Sequence, residues 1–151
     1  MIASHLRPEL IRVAPPWTSF DETVGGLIDT LVEGGALPAA SAADAVRAVS
    51  EREALASTAL LDIHAAVPHA RLGTLKTTAL GLAIAGQGLY EAVPTVPIHI
   101  VALVLSPASS NTDHLGVLAS VATLLRSAEL RAALLAARNP IEAFALLLER
   151  A

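Results

Sequence analysis

The histidines are the side chains of this sequence that most directly suggest chemistry. There are five of them, namely His5, His64, His69, His99 and His114. A neutral imidazole has a free nitrogen lone pair near pH 7, and that nitrogen can attack an electrophile such as phosphorus. In Val67-Pro68-His69, the proline fixes its own φ and keeps Val67 extended. We therefore expect a stiff strand end at the sheet edge that presents His69 as a nucleophile, although the local pattern also fits a turn histidine without a role.

His114 and Arg52 are the residues best suited to hold a phosphoryl group near such a histidine. His114 follows Asn-Thr-Asp at the predicted start of a helix, where free N–H groups and the positive dipole end favour anions. Arg52, in Ser-Glu-Arg-Glu, can bind phosphate oxygens through its forked guanidinium. The alternatives are a solvent-facing helix start for His114 and a solvated helix end for Arg52.

The sequence gives weaker evidence of chemistry for the other histidines. His64 lies five residues before His69, and an odd separation along a strand sends two side chains to opposite faces. A shared metal would therefore need a bend between them. His99 lies in the most apolar stretch, which is typical of a hydrogen-bonded core or edge histidine. The chain has no cysteine, which excludes disulfides, thiolate metal sites and cysteine nucleophiles.

The elements that must position these side chains alternate between strand and helix patterns, which indicates an α/β layer architecture. Strand patterns cover residues 10–13, 65–67, 77–85 and 98–105, and helical patterns follow Ser19, Pro38, Asp113, Ser127 and Asn139. Ser19 and Glu22 have the spacing of a capping box, and Gly34-Gly35 closes that first helix. Residues 98–105 are apolar almost throughout, as in a central strand covered on both faces. Residues 86–97 and 106–113 are predicted to be mainly loops.

Composition and charge narrow the class of protein. A length of 151 residues fits one domain spanning residues 1–151. The net charge is -4 and the 10 Lys and Arg residues are scattered, whereas a nucleic-acid-binding protein usually has a basic stripe. The longest apolar stretches are far shorter than the roughly 20 residues of a membrane-spanning helix. The N-terminus lacks the pattern of a signal peptide, so we expect a cytoplasmic location.

Residues 52–58 read Arg-Glu-Ala-Leu-Ala-Ser-Thr, and residues 66–71 read Ala-Val-Pro-His-Ala-Arg. This order of Arg-Glu, Ser-Thr and Pro-His resembles the signature of mannitol/fructose-type enzyme IIA domains. That family belongs to the bacterial phosphoenolpyruvate-dependent sugar phosphotransferase system and includes a nitrogen-related branch. Residues 101–107 and the run Asp113-His114-Leu115 resemble the family's late strand and histidine-bearing helix start. The resemblance covers nearly the whole chain.

The resemblance implies a three-layer α/β/α sandwich around a mixed central β-sheet. It implies that His69 is phosphorylated by phospho-HPr, that His114 lies near the phosphoryl group and that Arg52 helps to hold the site. The usual acceptor is a cysteine of an enzyme IIB, and neither a metal nor another cofactor is needed. The attacking nitrogen is expected to be Nε2, with Nδ1–H held by a backbone carbonyl.

Residues 59–64 depart from the family pattern, because they contain no glycine and one extra residue where the family has a glycine-rich turn. Glycine permits unusual backbone angles, so we expect a reshaped turn with His64 at the rim of the site. Three functions stay open: a phosphocarrier in sugar uptake, a regulatory protein whose His69 phosphorylation controls partner binding, and a degenerate module that only binds a partner. A zinc site formed by His64, His69 and His114 is a fourth.

Overall fold

The computed structural model of this protein describes residues 2–109 and 111–150. These residues form five α-helices, namely α1 (Phe20–Glu33), α2 (Ala42–Leu55), α3 (Asn111–Leu125), α4 (Ala128–Ala136) and α5 (Pro140–Arg150). They also form eight strands: β1 (Ile11–Val13), β2 (Ala59–Leu60), β3 (Ala65–Ala66), β4 (His69–Leu72), β5 (Ala79–Ile84), β6 (Tyr90–Val93), β7 (Val96–Ile98) and β8 (Ile100–Pro107). Within those two ranges, no helix is long and apolar enough to span a membrane.

A mixed sheet in the order β1-β5-β8-β3-β2 forms the centre of the fold. Strand β8 runs antiparallel to β5 and parallel to both β3 and β4. Seven of its eight residues are buried, as the continuous apolar pattern predicts for a central strand. Strands β6 and β7 form a separate hairpin in the region predicted to be mainly loop.

Helices cover both faces of this sheet. A Cβ added to Gly81 in β5 would lie 3.5 Å from both Leu27 and Leu31 of α1. Its neighbours Leu80 and Leu82 instead line a small apolar cavity together with side chains of α3 and α5. Because successive strand residues point to opposite faces, α1 and the α3/α5 pair lie on opposite sides of the sheet. The predicted three-layer α/β/α sandwich is therefore confirmed.

The strand before Pro68 ends at Ala66, close to the predicted end, but pairing with β8 resumes at His69, which was not predicted. Ala66 pairs with Val101 and His69 pairs with Val104, which keeps one register across the proline. The N–H of Val104 also donates to the Pro68 carbonyl oxygen at 3.0 Å. Proline lacks a donor but has a φ compatible with extended backbone, so the strand resumes as β4. In the described ranges, β4 pairs with β8 alone, which leaves His69 on an edge segment.

The loop predicted at residues 106–113 is much shorter in the structure. Strand β8 continues to Pro107, and α3 begins at Asn111. The predicted strand start was also displaced, because Ile98 belongs to β7. Ser106 is fully buried within β8 and its hydroxyl has a hydrogen-bond partner in α3. A satisfied hydroxyl can lie inside a sheet, so a polar residue did not have to end the strand.

The start of α1 is capped in a way that differs slightly from the predicted capping box. The Ser19 hydroxyl accepts the Glu22 N–H at 3.0 Å, as expected. The Glu22 carboxylate, however, accepts the N–H and hydroxyl of Thr18 at 2.8 and 3.0 Å, one residue earlier than the box requires. Gly34 is the cap residue at the other end of the helix, as predicted.

Candidate functional site

His69 is the first residue of β4, and its ring is oriented by the backbone just before it. Nδ1 lies 2.8 Å from the carbonyl oxygen of Val67. A carbonyl can only accept a hydrogen bond, so Nδ1 carries the proton and Nε2 keeps its lone pair in the neutral ring. The half-buried imidazole therefore has Nε2 available for nucleophilic attack, which is the tautomer expected from the resemblance.

The sheet register turns His69 towards the helix layer that contains α3. His69 pairs with Val104, and Val104 pairs with Leu80, which faces α3 and α5. Arg71 pairs with Ser106, two residues further along each strand. Since residues two apart share a face, His69, Arg71 and Ser106 all point to this layer.

His114 lies opposite His69, in the first turn of α3. The two ring centroids are 5.4 Å apart and the ring planes are inclined by 59°. His114 is only 7% exposed, and its Nδ1 lies 2.6 Å from the Ser106 hydroxyl oxygen. Burial lowers the pKa of His114 from its usual value, and the electrostatic influence of His69 and of the Arg71 guanidinium lowers that pKa further. His114 is therefore neutral at pH 7.

Arg52 reaches the same place from the last turn of α2. A cavity of about 530 Å³ is lined by Ala48, Glu51, Arg52, Leu55, His69, Ala70, Arg71 and His114. The structure thus gathers His69, His114 and Arg52, the three predicted site residues, around one open cavity. The Nη1 group of Arg52 donates to the Ala56 carbonyl oxygen at 3.0 Å, just beyond the helix end.

The Arg-Glu and Ser-Thr pairs of the signature fix the chain reversal between α2 and β2. The Glu53 carboxylate accepts the Thr58 N–H at 3.0 Å and the Thr58 hydroxyl at 2.7 Å. The Ser57 hydroxyl accepts the N–H of Ala59 at 3.1 Å. These local bonds hold the end of α2 beside the sheet, and so keep Arg52 next to the cavity.

Sequence reasoning missed Ser106 and Arg71 as members of the site. Ser106 fell in the predicted loop, and no local signal indicated that it would contact His114. Arg71 had a usable signal, because it follows His69 by two residues on an extended segment and must share its face. The Arg71 guanidinium also donates to the carbonyl oxygen of Ala108, at the end of β8.

His64 does not line this cavity, and its predicted place at the rim was wrong. The reshaped turn consists of the 3-10 turn Leu61–Ile63 followed by His64 in the left-handed region at φ 54°. Its Nδ1 lies 2.9 Å from the Pro97 carbonyl oxygen, and its ring lies next to His99. Among the residues described, no three His, Cys, Asp or Glu side chains form a metal-binding group, so the suggested zinc site with His69 and His114 is not formed.

Comparison with known proteins identifies the family of this chain. A family model described as "Phosphoenolpyruvate-dependent sugar phosphotransferase system, EIIA 2" matches residues 4–150. The chain belongs to this enzyme IIA family. It is therefore a phosphotransferase component of the phosphohistidine-carrier class, as the signature residues suggested.

Relatives of this enzyme IIA include curated and solved proteins. The fructose-specific EIIA component of Haloferax volcanii is 26% identical over 132 residues, which cover 87% of this chain and 84% of that protein. Nitrogen regulatory protein IIA-Ntr from Neisseria meningitidis has a TM-score of 0.82 at 22% identity, covering 97% of this chain and 98% of the other. The mannitol enzyme IIA of Escherichia coli, solved in complex with phosphorylated enzyme IIB, has a TM-score of 0.75 at 22% identity, covering 96% and 98%. The two structures confirm the fold.

Proposed function

We propose that this enzyme IIA accepts a phosphoryl group from phospho-HPr on Nε2 of His69 and passes it to an enzyme IIB. In this proposal the protein acts in the cytoplasm and the transfer serves the uptake of a sugar. The observation that carries the proposal is the free Nε2 of His69 beside a buried neutral histidine and two arginines in one cavity. Family membership supports a phosphocarrier role, and the mannitol enzyme IIA solved with phosphorylated enzyme IIB supports the choice of acceptor.

Each transfer is a displacement at phosphorus. The Nε2 lone pair of His69 forms the new N–P bond while the bond from phosphorus to its leaving atom on HPr breaks, and the electron pair stays with HPr. A thiolate of enzyme IIB then attacks the same phosphorus, and the electron pair of the breaking bond returns to Nε2. The Val67 carbonyl accepts from Nδ1–H throughout, which aims Nε2 and stabilises the positive charge that develops on the ring.

The surrounding side chains position the group and neutralise its charge, which is the main requirement of phosphoryl transfer. Arg52 and Arg71 line the cavity and supply positive charge for the phosphoryl oxygens. The Ser106 hydroxyl donates to Nδ1 of His114, so that the Nε2–H of His114 can donate to a phosphoryl oxygen. The proposal therefore gives both Ser106 and His114 a function in the transfer.

The test is the intact mass of the protein after incubation with phosphoenolpyruvate, enzyme I and HPr, worked up without acid. The wild type should gain one phosphoryl group, and His69→Asn should gain none, although its amide can still donate to Val67. His114→Ala should slow the transfer and leave some labelling. Labelling that persists in His69→Asn would refute the assignment, and an unchanged rate in His114→Ala would remove that residue from the site.

A regulatory role is the second candidate function. The phosphoryl group adds roughly -1.5 to -2 charges, and it would do so beside the exposed side chain of Leu55 at the cavity. Such a change can switch the binding of a target protein without onward transfer. Loss of the label on addition of a cognate enzyme IIB, with label gained by that protein, would favour uptake. Retention of the label would favour regulation.

A further inference from the structure

A second pair of histidines lies at the opposite end of β8 from the transfer site. His64 follows the turn Leu61–Ile63, and His99 lies between β7 and β8. Their ring centroids are 5.9 Å apart, with planes inclined by 59°. The residues of β8 beside the two sites are Ile100 and Val104, so the pairs are separated by about 13 Å at roughly 3.3 Å per residue.

Both rings of this second pair leave the same nitrogen free. Nδ1 of His64 lies 2.9 Å from the Pro97 carbonyl oxygen, and Nδ1 of His99 lies 3.0 Å from the Ala85 carbonyl oxygen. Each carbonyl can only accept, so each neutral ring has its proton on Nδ1 and a lone pair on Nε2. Histidines that bind metals usually have this arrangement, with the second ring nitrogen donating to a carbonyl or carboxylate.

The separation of the rings fits one ion held between them. A Zn–N bond is about 2.0–2.1 Å, and the ring centre lies about 1.2 Å behind the ligating nitrogen, so each centroid would lie about 3.3 Å from the ion. When the Nε2 atoms of two rings both point at one ion, the ring centroids are about 5.3 Å apart at a tetrahedral angle and about 6.5 Å apart when the rings are opposed. The observed 5.9 Å lies within this range.

The backbone of His64 provides an independent reason to expect a role for its side chain. His64 has φ 54° and ψ 39°, a conformation that costs free energy for a residue with a Cβ and not for glycine. Strained residues of this kind concentrate at functional sites. The His99 N–H donates to the His64 carbonyl oxygen at 2.8 Å, so the strained residue is also fixed to its neighbour.

We propose that His64 and His99 bind one divalent transition-metal ion through their Nε2 atoms, with water completing the coordination. Imidazole nitrogen suits Zn²⁺, Ni²⁺ and Cu²⁺, whereas Mg²⁺ and Ca²⁺ prefer oxygen ligands. The described part of the chain adds no third His, Cys, Asp or Glu to the pair, so the ion stays open to solvent. Because the ion binds the folded protein and not the unfolded chain, it stabilises the contact between the turn Leu61–Ile63 and the start of β8 by mass action.

The test is a titration of the metal-free full chain with Zn²⁺ alone. Binding is measured by isothermal titration calorimetry and by the shift in melting temperature. His64→Asn and His99→Asn are matched variants, since the asparagine amide can replace the Nδ1–H donor but offers no imidazole nitrogen. Asparagine also tolerates the left-handed backbone of residue 64. We expect each variant to bind one Zn²⁺ per chain fewer than the wild type and to lose the shift in melting temperature that this ion causes.

Two controls keep the outcome clear. His69→Asn should still bind the Zn²⁺ held by His64 and His99. If the His69–His114 pair binds a separate Zn²⁺, that ion should be lost in His69→Asn. Both His64→Asn and His99→Asn should be phosphorylated as the wild type is, so a failed metal site is distinguishable from a failed phosphocarrier. No Zn²⁺ binding by the wild type, or unchanged isotherms in His64→Asn and His99→Asn, would overturn the proposal.

Discussion

At the scale of the residue, the reactivity of the site depends on where single protons lie. The Val67 carbonyl holds the proton of His69 on Nδ1, which leaves Nε2 as the nucleophile without any change of tautomer. His114 has the opposite requirement in the proposed mechanism, because its Nε2 must carry a proton to bind a phosphoryl oxygen. The Ser106 hydroxyl, 2.6 Å from Nδ1 of His114, provides that proton arrangement when it acts as the donor.

We predict that phosphorylation of His69 raises the pKa of His114. In the unphosphorylated protein, burial and the electrostatic influence of His69 and Arg71 hold this pKa below its usual value. A phosphoryl group of roughly -1.5 to -2 charges next to the ring stabilises the imidazolium and so opposes that shift. The pKa is measured by NMR titration of the imidazole resonances before and after phosphorylation.

The matched sample for that titration is His69→Asn incubated with the same donor proteins, in which the titration of His114 should not change. A His114 pKa that is equal in the phosphorylated and unphosphorylated wild type would contradict the placement of the phosphoryl group beside this ring. It would also remove the proposed hydrogen bond from His114.

At the scale of the element, two adjacent glycines in α1 have different surroundings. A Cβ added to Gly26 would lie 2.1 Å from the Trp17 ring, whereas a Cβ on Gly25 would have no described heavy atom within 4 Å. Gly26→Ala should therefore lower the free energy of unfolding by about 1–3 kcal/mol, since Trp17 must move. Gly25→Ala should raise it by about 0.5–1 kcal/mol through improved helix propensity. Denaturant unfolding of both variants measures the difference, and equal effects would contradict this packing of Trp17 on α1.

Sequence patterns predicted the elements that have a strong local signal. The apolar run of β8 indicated a central strand, and the capping residue Ser19 marked the start of α1. The meeting of His69 and His114 followed from the family resemblance, since no local pattern joins a strand to a distant helix start. The same limit explains why the approach of His64 to His99 was not predicted.

The failures came from residues whose local preference was overridden by long-range partners. Pro68 interrupts the strand as predicted, but pairing with β8 resumes in the same register at His69, and this resumption was not predicted. Ser106 reads as part of a loop, but it remains in β8 because His114 satisfies its hydroxyl. His64 takes a backbone conformation usually left to glycine, and the hydrogen bonds of its ring and carbonyl to the β7–β8 junction accompany it.

At the scale of the whole molecule, two strongly exposed leucines lie at or next to the residues of the cavity. Leu55, on the rim of the cavity, is 83% exposed, and Leu115, the residue after His114, is 65% exposed. Ile141 is 71% exposed as well, but it belongs to α5, which packs against β1 at the far edge of the sheet. In the proposed transfer, phospho-HPr must approach His69 past Leu55 and Leu115, so we expect these side chains to contact the donor protein.

We therefore predict that Leu55→Ser and Leu115→Ser each reduce kcat/KM for phosphorylation by phospho-HPr about tenfold, which corresponds to about 1.4 kcal/mol of lost binding in the transfer complex. Ile141→Ser is the matched control, because it removes an equally exposed apolar side chain away from the cavity, and its kcat/KM should stay within about twofold of the wild type. Initial transfer rates over a range of phospho-HPr concentrations provide the measurement. The spontaneous hydrolysis of phosphorylated His69 should be the same in all three variants, since none of these side chains hydrogen-bonds the imidazole. An equal loss of transfer rate in all three would point to a general loss of stability, and it would remove Leu55 and Leu115 from the docking surface.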